Sequence, residues 1–270
     1  MTTPNTNLPT PASPPALSVK GPHLKLAVLL GIAGMLATLA VMPYLLALLP
    51  QKFAALPLPL PVVALVQAVQ AGLLCWLLGW LGLHLGAPHG LDAPWLRAWV
   101  YRRPRDPARH SCWWLAASLG VLAALLVTGL SLLGPQPAAD HAGTAAGQAW
   151  RGALASFYGG IVEEVQARLL LVSALVWLLA RCNRRVALPW MFVLAIVLAA
   201  VLFGAGHLPA AIAAGIADTP LLIARIVLLN AVVAVVFGGL FWKYGLEHAM
   251  LAHFCADLVL HVALPLAGGF

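Results

Sequence analysis

Long apolar runs, separated by short polar or Pro/Gly-rich breaks, set the organisation of this chain. A membrane-crossing helix needs about 20 consecutive apolar residues, and seven stretches meet that length: Leu26–Leu49, Val62–Leu83, Ser111–Leu133, Ala153–Ala180, Val186–Gly206, Leu221–Trp242 and Leu246–Leu266. Pro57, Pro59 and Pro61 punctuate the first break, the loop Gly86–His110 carries a basic cluster, and Gly134–Gln148 is small and polar. The pattern predicts an all-α fold, a polytopic membrane helix bundle of about seven transmembrane helices. Residues 1–22 read as a disordered tail rich in Pro, Thr and Asn, without the apolar core of a cleaved signal peptide. Residues 23–134 form a first group of three helices, and residues 150–268 a second bundle. The seventh helix is the least regular, because Glu247, His248, His253, Asp257 and His261 interrupt it.

Composition sharpens this picture. The chain is 62% hydrophobic and 9% charged, more apolar surface than a soluble domain of this length could hide. Its net charge of +7 raises the question of a nucleic-acid partner, and the positions of the cations answer it. When the chain is threaded in and out, Lys20, Lys25, Arg97, Arg102, Arg103, Arg105, Arg109, Arg181, Arg184, Arg185 and Lys243 fall on one side, and Lys52 and Arg151 on the other. Cytoplasmic loops are the ones enriched in Lys and Arg. The charge therefore reports orientation in a cell (inner) membrane, multi-pass with the N-terminus cytoplasmic, and no nucleic acid is implied. The four cysteines, Cys75, Cys112, Cys182 and Cys255, form no CxxC pair and no disulfide framework.

Polar side chains inside the apolar runs make up an intramembrane polar site. The chain has eight acidic residues, and two are adjacent at Glu163-Glu164 within the fourth run. A carboxylate in hydrocarbon costs several kcal/mol, so intramembrane acids mark function by default. Glu164 and Arg168 are four apart, with the acid N-terminal, the favourable order for an ion pair. Glu163 is rotated about 100° away and cannot share that arginine equally. One glutamate is thus neutralised structurally while the other is left for chemistry. Phe203-Gly-Ala-Gly-His207 ends the fifth run, and His253-Phe-Cys-Ala-Asp257 puts a histidine and a carboxylate on one face of the seventh. Helical rise places Glu163 and His207 each roughly 27 Å from the basic side, so they can meet in the outer half of the bilayer. His253 lies only about 15 Å in. This mismatch predicts a tilted or late-starting seventh helix, or a site nearer the midplane.

Together the three motifs resemble the CPBP family of intramembrane proteases, which includes the CAAX prenyl endopeptidases and bacteriocin-immunity relatives. The family pattern is a double glutamate followed after three residues by arginine, then Phe-x-x-x-His, then His-x-x-x-Asn or a variant. All three occur here in order over about residues 150–262, with Asp257 in place of the usual asparagine. The resemblance implies a hydrolase, an intramembrane endopeptidase acting on a membrane-embedded or membrane-anchored peptide substrate in the lipid bilayer. It implies that Glu163 is the general base activating water, aided by His207. His253 and Asp257 would polarise the scissile carbonyl, or hold Zn²⁺ or another divalent metal with His207, as in a metalloprotease. Glu164 and Arg168 would be the structural pair.

The chemistry holds together on the residues alone. Peptide hydrolysis needs a base for water and donors or a cation for the oxyanion. No His-Glu-x-x-His and no Gly-x-Ser-x-Gly occurs, which argues against zincin and serine-hydrolase sites. Two other classes compete. A proton-coupled transporter also uses intramembrane acids, but no repeated or broken helices are evident. A catalytically inactive membrane scaffold could keep the fold and bind transmembrane peptides without cleaving them.

Overall fold

The computed structural model describes residues 22–104, 111–134 and 143–268. The expected N-terminal tail falls almost wholly outside the described residues, as do Arg105, Arg109 and positions 135–142 of the expected outer loop. Among the described residues the fold is helical, without strands, and seven helices are long and apolar enough to cross a membrane. The spanning segments are α1 (Leu24–Leu48), α3 (Leu60–Gly86), α5 (Trp113–Ser131), a long composite helix from α6 (Ala145–Tyr158) to α7 (Ser173–Cys182), α8 (Pro189–Gly206), α10 (Pro220–Tyr244), and α11 (Leu246–Leu258) with its extension. Short helices fill the connections: α2 (Pro50–Ala54), α4 (Pro94–Tyr101), α9 (Leu208–Ala213) and α12 (Leu264–Leu266).

Capping chemistry sets several of the boundaries. The fourth spanning helix starts at Ala145, eight residues before its apolar run, because the Thr144 hydroxyl accepts the Gly147 N–H at 3.1 Å. The fifth starts at Pro189 rather than Val186, since proline suits the first helical turn. At Gly245 a backbone φ of 100° turns the chain sharply between α10 and α11. A Cβ there would strike Pro94 and would sit in the left-handed region besides.

One core runs through the whole bundle, from Leu26 and Leu30 of α1 through Val162, Val165 and Leu169 to Phe237, Leu246 and Ala256. α1 packs on α3 and α6, and α5 packs on α10 and α11. The first three spans are therefore built into the walls around the polar motifs.

The basic end of the bundle is tied shut. Asp92 and Arg97 form a buried bidentate pair, at 2.6 and 2.7 Å, and Arg97 also donates to the Pro22 carbonyl at 2.9 Å. Arg97, expected as a plain loop cation, is thus neutralised. Leu246 N–H donates to the Asp92 carbonyl at 3.1 Å, and Glu247 accepts the Leu96 N–H at 2.7 Å. The first residue of α11 is fully buried beneath α4. The seventh helix accordingly starts inside the bundle, which answers the depth mismatch of His253.

Candidate active site

The centre of the site lies where the fourth spanning helix loosens. Over Gly159–Glu163 and Val165–Val172 its backbone widens into π-turns. Such bulges carry one extra residue per turn and often occur at functional positions. The widening follows the Gly159-Gly160 pair. A Cβ at Gly159 would collide with the Asp257 carboxylate and lie 3.0 Å from His253 Nε2. Glycine here is what allows the fourth and seventh helices to bring their polar groups together.

Glu164 and Arg168 meet as the helical spacing predicts, Oε1 to Nη1 at 2.8 Å, with both side chains essentially excluded from solvent. Arg168 also donates to the Ala234 carbonyl at 3.2 Å, and its guanidinium lies over the Phe203 and Phe237 rings. Glu164 does more than neutralise arginine. Its Oε1 lies 2.6 Å from His253 Nδ1, and a carboxylate paired with arginine can only accept, so Nδ1 carries the proton. The ring is further fixed by stacking on Phe237 at 4.7 Å. Its Nε2 edge faces Glu163 and Asp257, each 3.7 Å away.

His207 stands at the end of α8. Its Nδ1 donates to the Phe203 carbonyl, four residues back, at 2.9 Å, so in the neutral ring Nε2 is the acceptor. Glu163, His207, His253 and Asp257 all line a single cavity of about 1120 Å³. That volume is large enough for a peptide segment. The residues expected at the site thus line one space, with His253 Nε2 3.7 Å from the Glu163 carboxylate.

The expected metal ligands are not assembled in the same way. Among the described residues no three His, Cys, Asp or Glu side chains are grouped closely enough to hold a metal ion. His253 offers no free nitrogen lone pair on the Glu164 side, and its other edge faces two carboxylates. His207, His253 and Asp257 are not among any such grouping of the described residues, and no step is drawn through a cation.

Several cavity residues lay outside the motif reading. Tyr44 of α1, Tyr158 of α6, and Arg225 and Asn230 of α10 line the same space, and the Tyr44 ring meets His261 edge-on at 5.7 Å. Asn230 and Arg225 were legible as polar interruptions of an apolar run. Tyr44 and Tyr158 were not, because a tyrosine inside a span carries no signal of which way it points.

A family model, that of the type II CAAX prenyl endopeptidase Rce1-like proteins, matches residues 145–259. The matched region begins with α6 and ends after Asp257, so it contains all three motifs. No curated protein and no solved structure matches the chain. At the level of the family, the match implies a CAAX-type endopeptidase of the membrane, in accord with the multi-pass bundle and the enclosed polar site. Over residues 145–259 the chain is similar to the Rce1-like type II CAAX prenyl endopeptidases, consistent with the CPBP group that its motifs resemble.

Proposed function

We propose that this protein hydrolyses a peptide bond of a membrane-associated polypeptide by means of water activated at Glu163. One observation carries the reading: two adjacent glutamates have divided roles. Glu164 is fully buried and committed to Arg168 and His253, whereas Glu163 stays partly open to the cavity, its side chain 24% exposed. A base must reach both water and substrate, and of the two glutamates Glu163 is the one that lines the cavity.

In the proposed reaction Glu163 takes a proton from water, and the water oxygen attacks the scissile carbonyl carbon. The carbonyl π electrons move to oxygen, and that oxyanion needs donors. His253 supplies Nε2–H in this reading. Its ring then carries protons on both nitrogens, with Glu163, Glu164 and Asp257 providing counter-charge. His207 presents Nε2 to the cavity and steadies the water beside Glu163. Collapse of the tetrahedral intermediate breaks the C–N bond, and Glu163 returns its proton to the leaving amine. Asp257 acts on the His253 ring as a positioning residue, a role open to a side chain that only accepts hydrogen bonds.

The test is a comparison of peptide amino termini in membranes of cells carrying the wild-type chain or Glu163→Ala. Termini that appear only with the wild type identify the substrate. Identical sets of termini in both would remove the peptidase reading.

A further inference from the structure

A second cavity lies at the basic end of the bundle. It measures about 280 Å³ and is lined by Pro88, His89, Trp177, Ala180, Arg181 and Arg185, none of which lines the larger cavity around Glu163. Two chain reversals build it. The short turn Ala87–His89 that follows α3 supplies the histidine, and the end of α7 with its connection to α8 supplies the arginines. The Arg181 guanidinium lies over the Trp177 ring, one helical turn back, at 5.1 Å. No carboxylate lines this space, and among the described residues no ion pair involves Arg181 or Arg185.

The backbone under Arg185 is unusual for the side chain it carries. Arg184 and Arg185 have φ of 50° and 66°. Two consecutive left-handed residues are ordinarily glycine, asparagine or aspartate, because a Cβ crowds the backbone there. The turn is fixed by the Arg185 N–H donating to the Ala180 carbonyl at 2.8 Å and the Val186 N–H to the Asn183 carbonyl at 2.9 Å. Asn183 Nδ2 closes it by donating to the Val186 carbonyl at 2.9 Å. The dipole of α7 and the orientation of the bundle account for cations somewhere at this end. Neither accounts for an arginine held on strained backbone at the wall of a cavity, beside a second arginine, a histidine and a tryptophan. Strain retained in this way points to a function for the side chain.

We propose that this cavity binds a phosphate group, supplied by the headgroup of an anionic phospholipid in the leaflet at the basic end. Guanidinium forks match phosphate oxygens two at a time, and a histidine ring adds an N–H donor in either neutral tautomer. Basic pockets between membrane spans are the kind of site that takes anionic headgroups. The surroundings favour a lipid over a soluble phosphate. Leu178, Val186 and Trp190, close to the arginines in sequence, are 54, 55 and 52% exposed, which gives acyl chains an apolar surface beside the headgroup. The bound phosphate ties the end of α3 to the α7–α8 turn, and so steadies the helix that carries Glu163 and Glu164. The proposal does not depend on what the larger cavity does.

Full-length protein, stripped of lipid in detergent, is titrated with phosphatidylglycerol or phosphatidylcholine in mixed micelles, and separately with inorganic phosphate. Bound lipid is counted by native mass spectrometry, and the melting temperature is recorded. The wild type should retain phosphatidylglycerol in preference to phosphatidylcholine and melt several degrees higher with it. Arg181→Gln/Arg185→Gln should bind phosphatidylglycerol roughly 25-fold more weakly, about fivefold for each arginine. Arg103→Gln/Arg184→Gln removes the same charge from the same end at positions that do not line the cavity, and should bind as the wild type does. Equal weakening in the two double variants means diffuse attraction to a basic surface and overturns the site. So does a wild type that neither phosphatidylglycerol nor inorganic phosphate distinguishes from Arg181→Gln/Arg185→Gln. Inorganic phosphate that raises the melting temperature as much as the lipid does, with the same dependence on both arginines, keeps the phosphate site and gives it a soluble ligand. Arg185→Gly guards against a double variant that fails to fold, because glycine relieves the left-handed backbone. Its lipid-free form should melt no lower than the wild type while its rise with phosphatidylglycerol shrinks. An undiminished rise overturns the site.

Discussion

At the scale of single residues, the site depends on a buried chain of charge running from Arg168 through Glu164 to His253. Removing one member of a buried ion pair leaves an uncompensated charge and costs about 3–5 kcal/mol. Glu164→Gln is therefore expected to lower the melting temperature in detergent markedly, and to reduce activity as well because the charged acceptor 2.6 Å from His253 Nδ1 becomes a neutral amide. A Glu164→Gln protein as stable as wild type would contradict the buried pair. The arginine partnership was legible in the sequence, since spacing of four fixes a shared helical face. The second bond of Glu164 was not. It spans 89 positions, and nothing in the local pattern of either helix specifies which His253 nitrogen meets which carboxylate. The same limit applies to the metal ligands: three suitable residue types were present, but their spacing in three dimensions is set by packing.

At the scale of elements, the informative departure is the pair of π-turns in the fourth spanning helix. Hydrophobic runs reveal that a helix exists and roughly where it crosses the membrane. They do not report a change from i→i+4 to i→i+5 bonding, because the apolar surface looks the same to lipid. Gly159 is the one visible trace. Gly159→Ala should place a methyl group against the Asp257 carboxylate and His253 Nε2, in a core that accommodates added volume poorly. The expected result is a folded protein with strongly reduced kcat. Gly129→Ala in α5, where a Cβ meets nothing within 4 Å, should leave activity unchanged. Equal activities of the two variants would show that the close approach at Gly159 has no bearing on the site.

At the scale of the whole molecule, the seven-span bundle and the charge asymmetry could be read from the sequence, and the contacts that tie the basic end together could not. Those contacts centre on α4, an eight-residue helix held by one buried ion pair and by partners distant in sequence. His23 belongs to this cluster, 3.0 Å from Arg97 Nη2. Burial first, then the neighbouring Arg97 charge, holds its pKa below the ordinary value. The folded state thus favours the neutral ring, and its contribution is present at neutral pH. Stability should fall as pH drops through the unfolded value of about 6.5, and level off below the folded one. Melting temperatures measured between about pH 7.5 and 5 should show this decline in the wild type and a shallower one in His23→Asn. Matching slopes would take His23 out of the energetics of the Asp92–Arg97 cluster.

The central claim is that Glu163 activates water for peptide hydrolysis, and one measurement bears on it most directly. Purified full-length protein and Glu163→Gln are compared for initial cleavage rate on the same membrane-derived peptide, with the melting temperature of each recorded. Glutamine keeps the shape and loses the base, so the account predicts equal melting temperatures and a rate lowered by about 10²–10⁴-fold. A Glu163→Gln protein that cuts the same bond at close to the wild-type rate would contradict it.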